Sequence, residues 1–296
     1  MIMVLALTCP MLASGKSGPS SHASSVIDYV PGLDTFPYDT PEAALGMPTR
    51  MSGFKFDPIA VSPFQPAFGP NELVSIGTGG HLVVGFEEPV IDDPANPFGI
   101  DLLVFGNSMF IDAGPPNGMV AGLYSEGGMI EVSLDGSRWH LVDSVEADGL
   151  YPTMGYVDNG PYDQSPGRIE TSFTHPVDPD LQLEDLLGMN HQQLVQAYDG
   201  SGGGAGIDLA DLGLDSIRYV RISVQTPGTI IEIDAFADVT AVEDAPASDL
   251  DGDGRVDGND LAMLLAQWAI AGGPADIDGS GLVDGLDLAI LLGEWF

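Results

Sequence analysis

Basic residues are scarce in this chain. It holds 8 Lys and Arg against 44 Asp and Glu in 296 residues, a net charge of −36. Such a surface repels phosphate backbones and anionic lipid, which argues against nucleic-acid binding and against charge-driven attachment to a membrane. Cysteine occurs once, as Cys9, so no disulfide can form within the chain. No run approaches the roughly 20 apolar residues of a membrane-spanning helix, so no span is expected. The five histidines are scattered: His22 near the N-terminus, His175 before a proline, and His81, His140 and His191 in isolation. No metalloprotease helix and no nucleophile elbow is present. Turn formers are plentiful, with 39 Gly and 23 Pro, and 44% of residues are hydrophobic. That is too apolar for a disordered chain, and it suits an all-β domain with long loops. The length fits one large or two modest domains.

Four segments follow from the pattern. Residues 1–25 carry an apolar run from Ile2 to Leu12 and then a Ser/Gly-rich stretch with Ala13 and Ala23. This resembles a secretory signal peptide, although without a basic n-region, and it implies a secreted, extracellular protein, attached to a cell surface in one version of the reading. Acylation of Cys9 as a lipoprotein is the weaker reading, because Thr8 precedes that cysteine poorly and the apolar run continues past it. Residues 26–240 form the main domain, 241–248 a linker, and 249–296 a C-terminal module.

Strand signals dominate the main domain. The clearest runs are 73–77, 81–86, 100–105, 129–134, 138–142, 217–224 and 229–236. In the run after Ile217, Arg218, Val220 and Ile222 share one face and Tyr219 the other. Asp135-Gly136 reads as the turn of a tight hairpin between Ser133 and Trp139. Many short strands without alternating helices predict a mostly β fold, an antiparallel sandwich. A long insertion spans 144–210, with helical spacing of Leu183, Leu186, Leu187, Leu194 and Val195. The glycine-rich stretch from Ser201 to Gly206 lacks the Lys of a phosphate loop and reads as a flexible loop.

The C-terminal module is a repeat. The twenty residues from Asp249 to Trp268 align with those from Asp276 to Trp295 at an offset of 27, with 13 identities. Each copy is an acidic, glycine-rich loop followed by an apolar helix of about two turns. In the first loop Asp249, Asp251 and Asp253 stand at positions 1, 3 and 5, and Arg255 offers its carbonyl at 7. Asp257 is at 9 and Asp260 at 12, with Gly254 at the sharp turn. In the second loop the same places hold Asp276, Asp278, Ser280, Leu282, Asp284 and Asp287, with Gly281 at the turn. This is the spacing of an EF-hand loop, in which alternate residues curl inward to give a hard cation six to eight oxygens at about 2.3–2.6 Å. Carboxylates so crowded repel one another, so ion binding and folding are expected to be coupled. Calcium is expected in both loops, more weakly in the second, where Ser280 replaces a carboxylate. Magnesium usually takes fewer ligands from protein.

With Asp at position 12, Asp-Leu-Ala-x-Leu-Leu after it and no preceding helix, residues 249–296 resemble a type I dockerin. The resemblance implies a small all-α calcium module that plugs into a cohesin-like scaffold or surface protein. The family's partner contacts fall at loop positions 10 and 11, here Gly258-Asn259 and Gly285-Leu286, which lack the hydroxyl residues common there. The apolar residues Leu261, Leu264, Leu265 and Trp268, and Leu288, Leu291, Leu292 and Trp295, read first as each other's core.

The main domain resembles galactose-binding-like (discoidin-like) jelly-roll domains of bacterial surface proteins. The likeness rests on Val74 to Phe86, Asp101 to Asn107, Ile130 to His140, Ile217 to Val224 and Glu232 to Phe236. It implies carbohydrate or surface-ligand binding and one structural calcium near the chain ends, for which Glu232 and Asp234 are candidates. Asp199, Asp208 and Asp211 flank the glycine stretch and are candidates for another ion or for turn caps. For a sugar ring, Tyr151, Tyr156, Tyr162 and Tyr198, with Asp158 and Asn159, offer aromatic faces beside polar groups; packing of the loop is the competing reading. The expectation is a secreted, non-catalytic binding protein with a polysaccharide as a possible partner. Its rivals are a polysaccharide-degrading glycoside hydrolase carrying a dockerin, and a structural surface-layer component.

Overall fold

The computed structural model describes residues 21–54, 57–239, 248, 250, 256, 258–270, 272–293 and 295. Of the expected signal-peptide segment 1–25, residues 1–20 lie outside the described residues, as does nearly all of the expected linker.

The described chain is built mainly from strands: β1 (Ser25–Val30), β2 (Met51–Phe54), β3 (Asp57–Ala60), β4 (Val74–Gly77), β5 (His81–Ile91), β6 (Leu102–Gly106), β7 (Met109–Asp112), β8 (Val120–Tyr124), β9 (Met129–Ser133), β10 (His140–Val142), β11 (Ala205–Ile207), β12 (Ser216–Ser223) and β13 (Ile230–Asp238). Every ladder between them is antiparallel. One sheet runs β1-β5-β12-β9-β10 and a second runs β11-β6-β13-β4; β2-β3 and β7-β8 are separate hairpins.

Side-chain alternation explains how the two larger sheets meet. Leu82 and Val84 of β5, Ile130 and Val132 of β9, and Val220 and Ile222 of β12 point to one side. They share a hydrophobic cluster with Val74 and Ile76 of β4, Leu102 and Val104 of β6, and Ile231, Ile233 and Phe236 of β13. The opposite side of the second sheet is also covered. Phe105 and Ala235 there pack with Phe173 of the long insertion, the two rings edge-on at 5.5 Å. β6 is therefore buried on both faces, which is why it reads as an unbroken apolar run.

The insertion folds as a layer of its own, holding α1 (Leu183–Leu186) and α2 (His191–Tyr198). The expected continuous helical stretch is two pieces, because Gly188 takes φ +82° and Asn190 starts a new helix. The Asn190 carboxamide oxygen accepts from the Gln193 amide while the Gln193 side chain accepts from the Asn190 amide, both at 3.0 Å. Leu186, Leu194 and Tyr198 then bury against Phe64, Phe110 and Met154. Arg50 ties the layer down: its guanidinium lies 4.0 Å from the Phe173 ring centre and donates to the Thr171 carbonyl at 2.7 Å.

Three local expectations change. The Ser133–Trp139 segment is not a two-residue hairpin; β10 begins at His140, and the Asp135 carboxylate caps the wider turn by accepting from the Ser137 and Arg138 amides. Arg218 leaves the face of Val220 because the register shifts between Ile217 and Tyr219, and its guanidinium donates to the Phe86 and Glu87 carbonyls. The glycine stretch is not a free loop. Ser201 to Gly204 are buried, and a Cβ on Gly202 would stand 2.2 Å from Phe173.

In the C-terminal module, α3 (Gly258–Ala266) and α4 (Gly285–Gly293) follow the two loops. Val256, Leu264, Ala275, Val283 and Leu291 form their small core. No helix of the described residues is long and apolar enough to cross a membrane.

Phe236 is fully buried where the two sheets meet. Phe236→Ala removes an aromatic ring from a close-packed site and is expected to cost about 3–5 kcal/mol, read as a lowered denaturant midpoint.

Candidate functional site

The second acidic loop is described in full. Carboxylate oxygens of Asp276, Asp278 and Asp287 lie within 4.8 Å of one another. The backbone makes this convergence. Gly279 and Gly281 take φ of +68° and +91°, a region that a side chain resists, and so curl the loop. Asp287, fully buried at the start of α4, accepts from the Asp278 amide at 3.1 Å and from the Asp284 amide at 2.7 Å. These amide bonds, the Asp284 one foremost, hold its carboxyl below the usual range, so it is ionised. Asp276 accepts from the Gly281 amide through Oδ2 at 2.9 Å, while its Oδ1 is buried without a hydrogen-bond partner. Such an atom costs about 1–3 kcal/mol unless something supplies positive charge. Among the described residues no Lys, Arg or His forms an ion pair with these three carboxylates.

The remaining expected ligands of this loop are placed differently. The Asp284 carboxylate turns to the Leu286 amide at 2.8 Å, and the Ser280 hydroxyl donates to the Leu282 carbonyl at 3.3 Å. In the first loop, Asp249, Asp251, Asp253, Arg255 and Asp257 lie outside the described residues. Its last residue, Asp260, is buried like its counterpart Asp287 and accepts from the Leu250 amide at 2.8 Å.

The helices do not bury all of their apolar residues in each other. Leu264 and Leu291 are buried and Leu261 and Leu288 half-buried, whereas Leu265, Trp268, Leu292 and Trp295 stay exposed. The cause is geometric: nine-residue helices bury one narrow stripe that leaves Leu265 and Leu292 outside it, while Trp268 and Trp295 lie beyond the helix ends at Ala266 and Gly293. The exposed residues are repeat equivalents, joined by exposed Leu286 at loop position 11.

The six expected sugar contacts do not assemble into an open face. Tyr198 is 1% exposed and its hydroxyl donates to the Pro152 carbonyl at 3.0 Å; Tyr156 is buried as well. Tyr151 donates to the Leu181 carbonyl at 2.6 Å and meets Tyr198 edge-on, and Tyr162 donates to Asp112 at 3.1 Å. Asp158 accepts from the Arg168 and Ile169 amides, and Asn159 donates to the Ser165 carbonyl. These residues lock the insertion, as amphipathic rings do when no other cover exists. Tyr151 alone of the six also lines a 410 Å³ cavity, beside Leu123, Val177, Asp143, Glu146 and Asp148.

Asp148, on the wall of that cavity, gave no sequence signal among so many carboxylates. It is 1% exposed, accepts from the Ser108 and Glu126 amides, and is pushed up to about 6 by burial. Glu232 and Asp234 form no cluster of metal-ligating side chains among the described residues and take different partners. Glu232 accepts from the Ser75 hydroxyl and is raised by burial, while Asp234 accepts from the Thr49 amide and hydroxyl. Asp199 and Asp211 stand outside any cluster of metal-ligating side chains among the described residues, whereas Asp208 lies with Asp92 and Asp101.

Burial pushes Asp234 up to about 7 from an ordinary 3.8. The folded chain thus keeps a proton that the unfolded chain releases, so the contribution of this one carboxyl to stability is full below about pH 4 and is lost as pH rises towards 7. Asp234→Asn keeps the shape and both Thr49 contacts. It is expected to flatten the fall in melting temperature between pH 5 and pH 7.5, measured by differential scanning calorimetry.

No protein-family model matches this chain, and no curated protein matches it.

Proposed function

We propose that this is a secreted, non-catalytic binding protein made of an antiparallel jelly-roll sandwich and a C-terminal, calcium-closed, dockerin-like attachment module. The observation that carries the reading is the convergence of Asp276, Asp278 and Asp287 around the unpartnered Oδ1 of Asp276. The donor set is all oxygen and anionic, which suits a hard cation, and the loop spacing suits calcium in particular. Asp276, Asp278 and Asp287 would hold the ion in the second loop. Asp260, with Asp249, Asp251, Asp253, Asp257 and the Arg255 carbonyl, would hold its counterpart in the first. A bound ion supplies the positive charge that lets the loop carboxylates stay close and the following helix stay docked. Exposed Leu265, Trp268, Leu286, Leu292 and Trp295 then form an apolar surface for a cohesin-like protein.

For the jelly-roll part we propose carbohydrate or another surface ligand. A second reading, a polysaccharide-degrading enzyme, is favoured by one observation: Asp148, a buried carboxyl raised to about 6, lies on the wall of the 410 Å³ cavity. A glycan array run beside hydrolysis assays separates the two. Sugar release that is lost in Asp148→Asn overturns the binding reading.

Calorimetric titration of the whole chain with calcium chloride tests the module. Uptake is expected, and Asp276→Asn with Asp278→Asn is expected to weaken the second loop's share by about 10- to 100-fold. EDTA should reduce the far-ultraviolet helix signal and calcium should restore it. No calcium uptake, or a spectrum indifferent to both reagents, sinks the proposal.

A further inference from the structure

The expected leader runs to residue 25, yet its last five residues are built into the sandwich. The Ser21 carbonyl accepts from the Asp238 amide at 2.6 Å, and His22 pairs with Ala237 in an antiparallel bridge. The Ala23 amide donates to the Phe236 carbonyl at 3.1 Å, and the Ala23 carbonyl accepts from the Gly46 amide at 3.0 Å. One residue later the chain changes sheet. The Ser24 amide donates to the Gly85 carbonyl at 2.9 Å, and Ser25 opens β1 opposite Gly85. Residues 21–23 therefore lie along β13 of the second sheet, and residues 24–25 along β5 of the first.

The crossing is packed as well as bonded. Ala23 is 1% exposed and belongs to the central cluster with Ala44, Val84 and Phe236. Ser25 also donates its hydroxyl to the Gly85 carbonyl at 3.2 Å.

These contacts bear on where a leader can be removed. A leader's cleavage motif asks for small side chains one and three residues before the cut. After the apolar run, three bonds fit that motif with an alanine at one of its two small positions. They follow Ala13-Ser14-Gly15, Ser21-His22-Ala23 and Ala23-Ser24-Ser25. A cut after Ala23 or after Ser25 would strip the partners from the Phe236 carbonyl and from the Asp238 and Gly46 amides. Phe236 is fully buried, so water cannot replace the lost donor there. Either cut would also empty the place that Ala23 fills in the core. The bond after Gly15 carries none of these costs.

We infer that the leader is cut between Gly15 and Lys16, and that Ser21 to Ser25 stay on the mature chain as a tie between the two sheets. This processing rests on the secreted reading proposed above. The step is hydrolysis by the exporting cell's leader peptidase: water adds across one peptide bond, leaving a carboxyl group on Gly15 and an amine on Lys16. Residues 13–16 lie outside the described residues; the place of residues 21–25 in the fold is what excludes the two later bonds.

Expression of the full chain in an exporting bacterial host, with N-terminal sequencing of the protein recovered outside the cytoplasm, tests this. A mature chain beginning at Lys16 is expected. One beginning at Ser24 or Val26 overturns the proposal. One beginning elsewhere between Ser14 and Ser21 overturns the choice of bond and keeps the tie. Chain found only inside the cells and still beginning at Met1 overturns the secreted reading and the cleavage with it. A second measurement judges the tie by itself: chains made to begin at Lys16 and at Ser24 are compared by differential scanning calorimetry. The shorter chain is expected to melt about 4 °C or more below the longer one. Its failure to fold while the longer chain folds supports the tie equally, and identical melting overturns it.

Discussion

Carboxylates that outnumber their counter-ions must draw positive potential from elsewhere, and this requirement governs much of the molecule. With 8 basic residues for 44 acids, ion pairs cannot serve more than a few. Two other sources are visible in the described chain. Backbone amides turn towards the acids at Asp101, Asp112, Asp135, Asp158 and Asp287. A retained proton serves where a carboxyl is buried in the sheets, as at Asp234. Where Asp276, Asp278 and Asp287 converge, amides reach all three carboxylates, yet the Asp276 Oδ1 stays without a hydrogen-bond partner.

The few basic side chains are correspondingly placed where the fold needs them. Arg50 joins Phe173 and Thr171 of the insertion to the segment before β2. Arg221 on β12 forms a two-pronged pair with Glu131 on β9 and stacks on Trp139 at 4.3 Å. Each sits across elements distant in sequence. The sheets supply the bulk of the burial, and these contacts fix which outer segment lies against which face.

Strand existence was legible because period-two alternation is dictated by burial on one side. All seven runs read from the sequence contain strands, with ends displaced by a few residues where a turn or bulge intervenes. The loop–helix repeat was legible for another reason: thirteen identities at one offset preserve a whole unit, not a single position. The insertion resisted such reading. Its residues are buried by contacts distant in sequence that have no local period, Tyr198 among Phe64, Phe110 and Met154 and Phe173 against β6, so Tyr198 and Tyr156 gave the same signal as ligand-facing rings. Asp148, Asp92 and Asp101 were hidden by abundance, and Asp208 was grouped with Asp199 and Asp211 instead, since one carboxylate looks like another until the fold brings partners from distant strands beside it. The outward placement of Trp268 and Trp295 was missed because the apolar spacing carries the helical pattern past the points where α3 and α4 end, at Ala266 and Gly293.

The glycine stretch against Phe105 and Phe173 has a bearing on how this chain can vary. Between Gly202 and Gly204 there is space for backbone and nothing more, with an added Cβ meeting ring carbons or main-chain oxygens within 3.0 Å at each position. At Gly188 and Gly200 an added Cβ meets nothing within 4 Å. Lack of room therefore keeps the inner run glycine, whereas at these outer bends it is the backbone, with φ of +82° and +78°, that does so. One edge of the layer is sealed by contact and its corners by torsion.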